Sequence, residues 1–471
     1  MTKRHFLDHF LNPKSIALIG TVKEGWFFGG GVIIKDLLHF SYKGRIYPIH
    51  PSIKEVMGIK VFPNIKEVPD HIELAVIMTS YKYVSQLIRE CGEKGVRSVV
   101  VVSDGFGELG NEGRRRQDEL VEIAKSFKMR IIGPNTLGVF DNINGFTTIP
   151  YEKGYESIKK GPLSIISQTG MYGPQALPFD DYNFGINKIF DLGNMCDVSE
   201  TDCLEYLEKD EDTKVISMYI ENIKRGRDFI DVAKRVSQKK PILCLRSGRS
   251  ADAAAAMASH TGSIVGDDMI YDGLFKQTRV IRVEEYEDLL DCAKGFIFQP
   301  LPKGNRLGII TLSGANSIMT IDDAQRYGLV LADISEESKK QLHKINPLLG
   351  KNPVDLGPAT AVLGAEIFNF YTRCVDVFMQ DNNIDSIFVV LYATNILRPE
   401  YYEDIFKAIN RKNTKPIVVW SYGTAEKHNK DLASIAEGYT IPCYTTSLKA
   451  IRTLGYMAKY VDWINSRAWN E

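Results

Sequence analysis

Short runs of uninterrupted apolar residues recur along the chain, each followed by a longer segment with helix-like spacing. In the first third they are Ser15–Gly20, Gly44–Ile49, Leu74–Met78, Ser98–Ser103 and Arg130–Asn135. A strand with one face in water alternates apolar and polar residues. A run such as Val99-Val100-Val101-Val102 does not alternate, so it reads as a strand buried on both faces. Such strands, separated by helix-length segments, predict a parallel sheet covered by helices, a Rossmann-like unit.

Two later segments resemble each other. Residues Leu163–Met171 and Leu307–Ala315 each run from an apolar strand into a hydroxyl-rich turn with glycine. Val215–Ile220 and Ile242–Leu245 follow the first copy, and Ser386–Leu391 and Ile417–Trp420 follow the second. The repetition predicts two further doubly wound domains related by duplication. Joints rich in polar residues, proline and glycine, at Pro150–Gly154 and Gln299–Gly304, mark the expected boundaries. The expected domains are residues 1–150, 155–299 and 303–471.

Composition narrows the function classes. A chain of 471 residues is too long for one ordinary core. Its net charge of -1, without a basic block, argues against nucleic acid or an anionic membrane as partner. No apolar run approaches the roughly 20 residues of a membrane span, and the N-terminus lacks the apolar stretch of a signal peptide. The seven cysteines are scattered, odd in number and without a CxxC pair. They read as buried thiols, and the expected location is the cytoplasm.

Three segments carry candidate chemistry. Gly20-Thr21-Val22-Lys23 opens a glycine-rich turn that runs through Gly29 to Gly31. It is either a flexible turn or a loop that brings amides and a helix N-terminus to phosphate. The duplicated turns, Ser167-Gln168-Thr169-Gly170 and Thr311-Leu312-Ser313-Gly314, are either good helix caps or a pair of anion sites. Finally, His260 stands in Ala258-Ser259-His260-Thr261-Gly262-Ser263, after a stretch of small residues. It is either incidental to an Ala-rich helix or a nucleophile that takes up a phosphoryl group and passes it on. The other histidines show no ligand spacing, so no metal is expected on this chain.

Read in order, further segments resemble one family over nearly the whole chain. They are Gly133-Pro134-Asn135-Thr136-Leu137-Gly138, Ser167–Gly170, Gly193-Asn194-Met195-Cys196-Asp197, Tyr219-Ile220-Glu221, Ser259–Gly262 and Asn352-Pro353-Val354-Asp355-Leu356. The family is the α-subunit type of the NDP-forming acyl-CoA synthetases, relatives of succinyl-CoA synthetase. The resemblance implies an α/β chain: a Rossmann-like CoA-binding domain followed by two flavodoxin-like, succinyl-CoA synthetase-like doubly wound domains. It also implies a reaction that interconverts acid, CoA and nucleoside triphosphate with acyl-CoA, nucleoside diphosphate and phosphate. By position His260 matches the phosphorylated histidine and Glu221 the carboxylate that orients it.

Coenzyme A would be bound by Gly20, Thr21, Val22, Lys23, Gly29, His50, Pro51 and Asn135. Phosphate would meet Ser167, Gln168, Thr169, Gly170, Ser313 and Gly314. No ATP-grasp segment is recognisable, so Mg-ADP or Mg-ATP is expected on a separate ATP-grasp β-subunit, in an α2β2 assembly. The sequence departs from the family pattern at Thr21-Val22, at the bulky Trp26-Phe27-Phe28 and at His50-Pro51. Two alternatives stay open at this point: a CoA-binding subunit without turnover, and a CoA acyltransferase that needs no nucleotide.

Overall fold

A computed structural model describes residues 4–25, 28–150, 158–170, 183–261, 267–394, 400–411 and 414–466. The α/β expectation is met. The chain forms two compact units, Met1–Tyr286 and Glu287–Glu471.

The first sheet of the N-terminal unit contains β1 (Ser15–Gly20), β2 (Arg45–Ile49), β3 (Leu74–Met78), β4 (Ser98–Val101) and β5 (Arg130–Ile132). All are parallel, in the order β2-β1-β3-β4-β5. Leu74, Val76, Val99, Val100 and Ile131 are fully buried, as double-sided coverage requires. The strand order reverses direction between β1 and β3. A doubly wound sheet opens its ligand crevice at such a point, beyond the carboxyl ends of the strands.

The second sheet consists of β6 (Val139–Asp141), β7 (Phe146–Thr147), β8 (Lys160–Ser167), β9 (Ile186–Asp191), β10 (Val215–Ile220), β11 (Ile242–Arg246) and β12 (Ile281–Arg282). Its order is β12-β11-β10-β8-β9-β6-β7. The strands from β8 to β12 run parallel, and β6 pairs antiparallel with β9. One apolar cluster, including Leu18, Ile34, Val139, Phe146, Ile166, Phe190 and Phe229, runs through both sheets. The first domain is therefore fastened to the second by a shared core.

The strands divide the chain elsewhere than the joints in the sequence suggest. Residues 139–147, expected in the first domain, are strands of the second sheet. The helix Asp288–Phe298, expected in the second domain, belongs to the C-terminal unit. The reason is electrostatic as well as apolar. Arg452 Nη1 donates to Asp288 Oδ2 at 2.6 Å, and both side chains are 1% exposed. Lys294 Nζ donates to Glu437 Oε1 at 2.6 Å and to the Cys443 carbonyl. These charges are unfavourable to bury except as pairs, so they hold the helix against its own unit.

The C-terminal unit carries β13 (Arg306–Thr311), β14 (Val330–Leu331), β15 (Val354–Asp355), β16 (Ser386–Ala393), β17 (Ile417–Gly423) and β18 (Cys443–Tyr444). They are parallel in the order β14-β13-β16-β17-β18, with β15 beside the end of β13. The duplication is visible in the register. Ser167 of β8 lies opposite Asp191 of β9, and Thr311 of β13 lies opposite Asp355 of β15. Among the described residues no helix is long and apolar enough to cross a membrane, and the seven cysteines are free thiols.

Truncating Asp288 leaves the buried guanidinium of Arg452 without its short carboxylate contact. We expect Asp288→Ala to destabilise the C-terminal unit by about 3–5 kcal/mol. Guanidinium denaturation checks this, and a cost within 1 kcal/mol (about fivefold in the equilibrium) contradicts it.

Candidate active site

The carboxyl ends of both N-terminal sheets open into one cavity of about 790 Å³. The first sheet supplies Thr21 and Gly29 after β1, Met78–Ser80 after β3, Val102–Asp104 after β4 and Asn135–Leu137 after β5. The second supplies Gln168–Gly170 after β8, Asp191, Gly193 and Asn194 at β9, and Glu221 after β10.

The turn after β1 needs its glycines. Gly20 has φ +113°, and a Cβ there would sit 2.1 Å from the Met78 carbonyl oxygen. Gly29, with φ +109°, precedes the helix Gly30–His39, and Gly30 N–H donates to the Thr21 carbonyl at 2.6 Å. A Cβ on Gly31 would lie 2.4 Å from the Lys23 carbonyl oxygen. The absent side chains thus let the turn fold down onto a helix N-terminus, whose amides and dipole favour an anion.

The remaining residues matched to CoA fall into two groups. Thr21, Gly29 and Asn135 line the cavity, Asn135 at φ +59° with its N–H donating to the Ser103 carbonyl. Val22 is fully buried in the shared core, and Lys23 is exposed outside the cavity wall. His50 caps its own turn, with Nδ1 accepting from the Ser52 and Ile53 amides at 3.2 and 3.3 Å. Neither His50 nor the exposed Pro51 lines the cavity.

The turn after β8 is held by its own side chains. Ser167 Oγ donates to the Thr169 carbonyl at 2.6 Å and accepts from the Thr169 amide, so this buried hydroxyl is occupied. Gln168 reaches sideways to β10. Its Oε1 accepts from the Glu221 and Asn222 amides at 2.6 and 3.1 Å, and its Nε2 donates to the Asn222 carbonyl at 2.7 Å. Gln168 is thereby the side chain that fixes the backbone under Glu221. Glu221 itself is 8% exposed. A Cβ on Gly170 would meet Leu137 Cδ1 at 2.5 Å, so this glycine permits the first domain's loop to close on the turn.

Thr311, Ser313 and Gly314 form the equivalent turn of the C-terminal unit. Thr311 Oγ1 and the Ser313 backbone exchange hydrogen bonds at 3.2 and 3.3 Å, repeating the Ser167–Thr169 pattern. Ser313 precedes the helix Gly314–Arg326 without a side-chain cap bond.

His260 lies in the last turn of the helix Ala251–Thr261. Its side chain, and Gly262 and Ser263, lie outside the described residues. The helix leaves β11, the strand beside β10, and among its described side chains only Met257 is buried. Both ends of the segment are pinned together. Arg246, the last residue of β11, donates to Asp268 Oδ1 at 2.6 Å, and Asp268 begins the next helix. Arg246 is fully buried over the Tyr271 ring at 3.9 Å, and Arg282 adds a second 2.6 Å bond to Asp268.

Sequence reasoning did not single out Asp191. Burial, opposed by hydrogen bonds from the Leu137 and Gly193 amides, pushes its carboxyl up to about 7. The signal was faint: an Asp at the end of β9, a strand whose apolar pattern is broken by Asn187 and Lys188.

Comparison with known proteins agrees with this layout. The profile of the CoA binding domain family matches residues 14–141, and that of the succinyl-CoA ligase-like flavodoxin domain matches residues 160–296. The chain is 38% identical to subunit alpha of acetate–CoA ligase (ADP-forming) II from Pyrococcus furiosus, over 93% of this chain and 94% of that one. It is 36% identical to the acetate–CoA ligase (ADP-forming) II of Archaeoglobus fulgidus, covering 95% of this chain and 66% of that longer one. A solved structure of a dinucleotide-forming acetyl-coenzyme A synthetase 1 from Ca. Korarchaeum cryptofilum, in complex with phosphate and ADP, is 32% identical. It superimposes with a TM-score of 0.87 over 97% of each chain. The chain is therefore a member of the ADP-forming acyl-CoA ligases, acid–thiol ligases built on a CoA-binding domain and succinyl-CoA ligase-like flavodoxin domains.

Proposed function

We propose that this chain is the α-subunit of an ADP-forming acyl-CoA ligase acting in the cytoplasm, with His260 as its phosphoryl carrier. The carrying observation is the single cavity in which the CoA-binding domain, the Gln168–Gly170 turn and Glu221 meet.

The chemistry divides into two transfers on this chain. Phosphate attacks the carbonyl carbon of acyl-CoA, the C–S bond breaks, and acyl phosphate forms as CoA leaves. His260 then takes the phosphoryl group, releasing the acid. Glu221 holds one ring nitrogen and stabilises the imidazolium, which raises the nucleophilicity of the other nitrogen. The phosphohistidine passes its group to ADP on a separate ATP-grasp β-subunit, which also holds the Mg²⁺, in an α2β2 assembly.

The length comparison supports that division. The chain spans nearly all of a relative named as an alpha subunit, but 66% of a relative named without subunits. The extra third of the longer chain is where a nucleotide-binding part would lie.

No Lys, Arg or His lines the described cavity, whereas Asp104, Asp191 and Glu221 do. Anionic groups would therefore be held by backbone amides and helix N-termini.

Three outcomes follow. With the β-subunit and ATP present, the wild-type complex should form an acid-labile phosphoenzyme. His260→Ala should abolish it, and net synthesis with it, while CoA still binds; full turnover by this variant contradicts the reading. Glu221→Gln should slow single-turnover phosphorylation roughly tenfold or more, because a neutral amide stabilises the imidazolium less; an unchanged rate assigns Glu221 a structural role only. Calorimetry on the isolated chain should show no tight ATP site, and tight binding would place the nucleotide here instead.

A further inference from the structure

The turn after β8 has a carboxylate on each side. In the sheet, Ser167 lies opposite Asp191 of β9 on one flank and Tyr219 of β10 on the other. Glu221 follows Tyr219 by two residues, on the side of β11, the strand that leads into the helix carrying His260. Asp191 stands on the opposite flank, toward the first domain. Its Oδ2 accepts from the Leu137 amide at 2.6 Å, in the loop after β5. Two acids of the same site thus face two different neighbours.

The immediate surroundings of Asp191 are unusual. Its side chain is fully buried, yet it borders the cavity. Gly170 lines the cavity beside it, and a Cβ there would lie 3.5 Å from Asp191 Oδ2. Oδ1 accepts a long bond of 3.3 Å from the Gly193 amide, and the Thr136 hydroxyl also stands within hydrogen-bonding reach of the carboxyl. The elements packed around it are β8, β6, the loop 133–138 and the turn 168–170, and the described residues against the carboxyl are Thr136, Leu137, Gly170 and Gly193, none of them charged. The other ionisable groups on the described cavity wall are Asp104, exposed after β4, and Glu221. No cation offsets its charge there.

The duplicate turn separates what is general from what is special. In the C-terminal unit Asp355 also accepts from the amide two residues on, Gly357, at 2.9 Å. This turn contact belongs to the fold. The bond to Leu137, which joins Asp191 to the CoA-binding domain, is particular to the first copy.

We propose that Asp191 is the proton acceptor and donor for the thiol of CoA in the acyl-transfer step, a role separate from that of Glu221 at His260. The proposal rests on the ligase reading above. Toward acyl-CoA, the S–H bond breaks and its proton goes to the Asp191 carboxylate. The sulfur forms a bond to the carbonyl carbon of the acyl phosphate. The C–O bond to the phosphoryl group breaks, and its electron pair leaves on phosphate, which then takes the proton from Asp191. In the reverse direction the protonated carboxyl gives its proton to the departing thiolate. A buried carboxyl with a value of about 7 suits both directions near neutrality.

The sign of the pH dependence differs between the two directions. A base must be unprotonated, so thiolysis of acetyl phosphate by CoA should rise as pH increases through about 7. An acid must be protonated, so phosphorolysis of acyl-CoA should fall over the same range. The test uses the holoenzyme, wild type and Asp191→Asn, with acetyl-, butyryl- and benzoyl-CoA plus phosphate in one direction. Acetyl phosphate plus CoA serves in the other, and phosphorylation of His260 by acetyl phosphate is followed separately. Asp191→Asn should slow both thiol steps by about a hundredfold and flatten their profiles, while His260 phosphorylation stays within about threefold of wild type. Equal loss of all three activities, or wild-type profiles in the variant, overturns the proposal. If Asp191→Asn does not fold, the wild-type profiles decide: opposite slopes through about 7 support it, and parallel or flat profiles overturn it. A wild-type holoenzyme inert toward every thioester and toward acetyl phosphate overturns the ligase reading itself, an outcome distinct from the others.

Discussion

Gln168 is the strut on which the site depends. β8 lies between β9 and β10, so the turn at its end is held at fixed distance from both neighbours. The register alone brings Asp191 and Glu221 near that turn, but a strand end is free to fray unless its amides are satisfied. Gln168 meets this requirement with three hydrogen bonds to residues 221 and 222. The side chain is 7% exposed, so the bonds operate out of water, where losing a partner costs more than in solvent. The position of the carboxylate is thus set by an amide on a different strand, and the precision of the site is a property of the sheet.

The same economy governs charge. The cavity has acids on its wall and no described cation, although its expected ligands are anions. Fixed dipoles resolve the conflict. The N-terminal dipole of the helix Gly30–His39 cannot move away or lose a proton, and it does not pair with the neighbouring carboxylates as a lysine would. Burial raises the proton affinity of an acid placed there against the opposing pull of nearby amide donors, and the Asp191 carboxyl is pushed up to about 7.

Much of this was legible in the sequence, for identifiable reasons. Strands β1, β3, β10 and β11 are unbroken apolar runs, and parallel sheets demand such runs. β9 was missed because Asn187 and Lys188 interrupt it. Both are buried, and Asn187 and Lys188 satisfy one another and Asp210 at 2.6–3.1 Å, a compensation invisible without the fold. The joint near residue 150 looked like a boundary, but short strands at 139–147 close the second sheet, and no local pattern announces which sheet a short strand will join. Site residues divide in the same way. Gly20 and Gly29 were readable because glycine has a backbone reason to be there. Val22 and Lys23 were implied by the family resemblance of the turn, and burial of one and exposure of the other separate them from the cavity. Gln168 was found for its place in the turn, whereas its role lies in a contact 53 residues away along the chain.

The clasp between Arg246 and Asp268 has a consequence in contour length. While it holds, the segment bearing His260 is a loop with both feet at one point, and the shorter arm sets its radius. Asp268 lies eight residues beyond His260. At roughly 3.3–3.6 Å per residue these eight steps span at most about 29 Å, even fully extended. The histidine therefore works inside a sphere centred on Asp268, and any phosphoryl acceptor beyond that radius is out of reach of this chain unless the clasp opens or the acceptor itself moves inward.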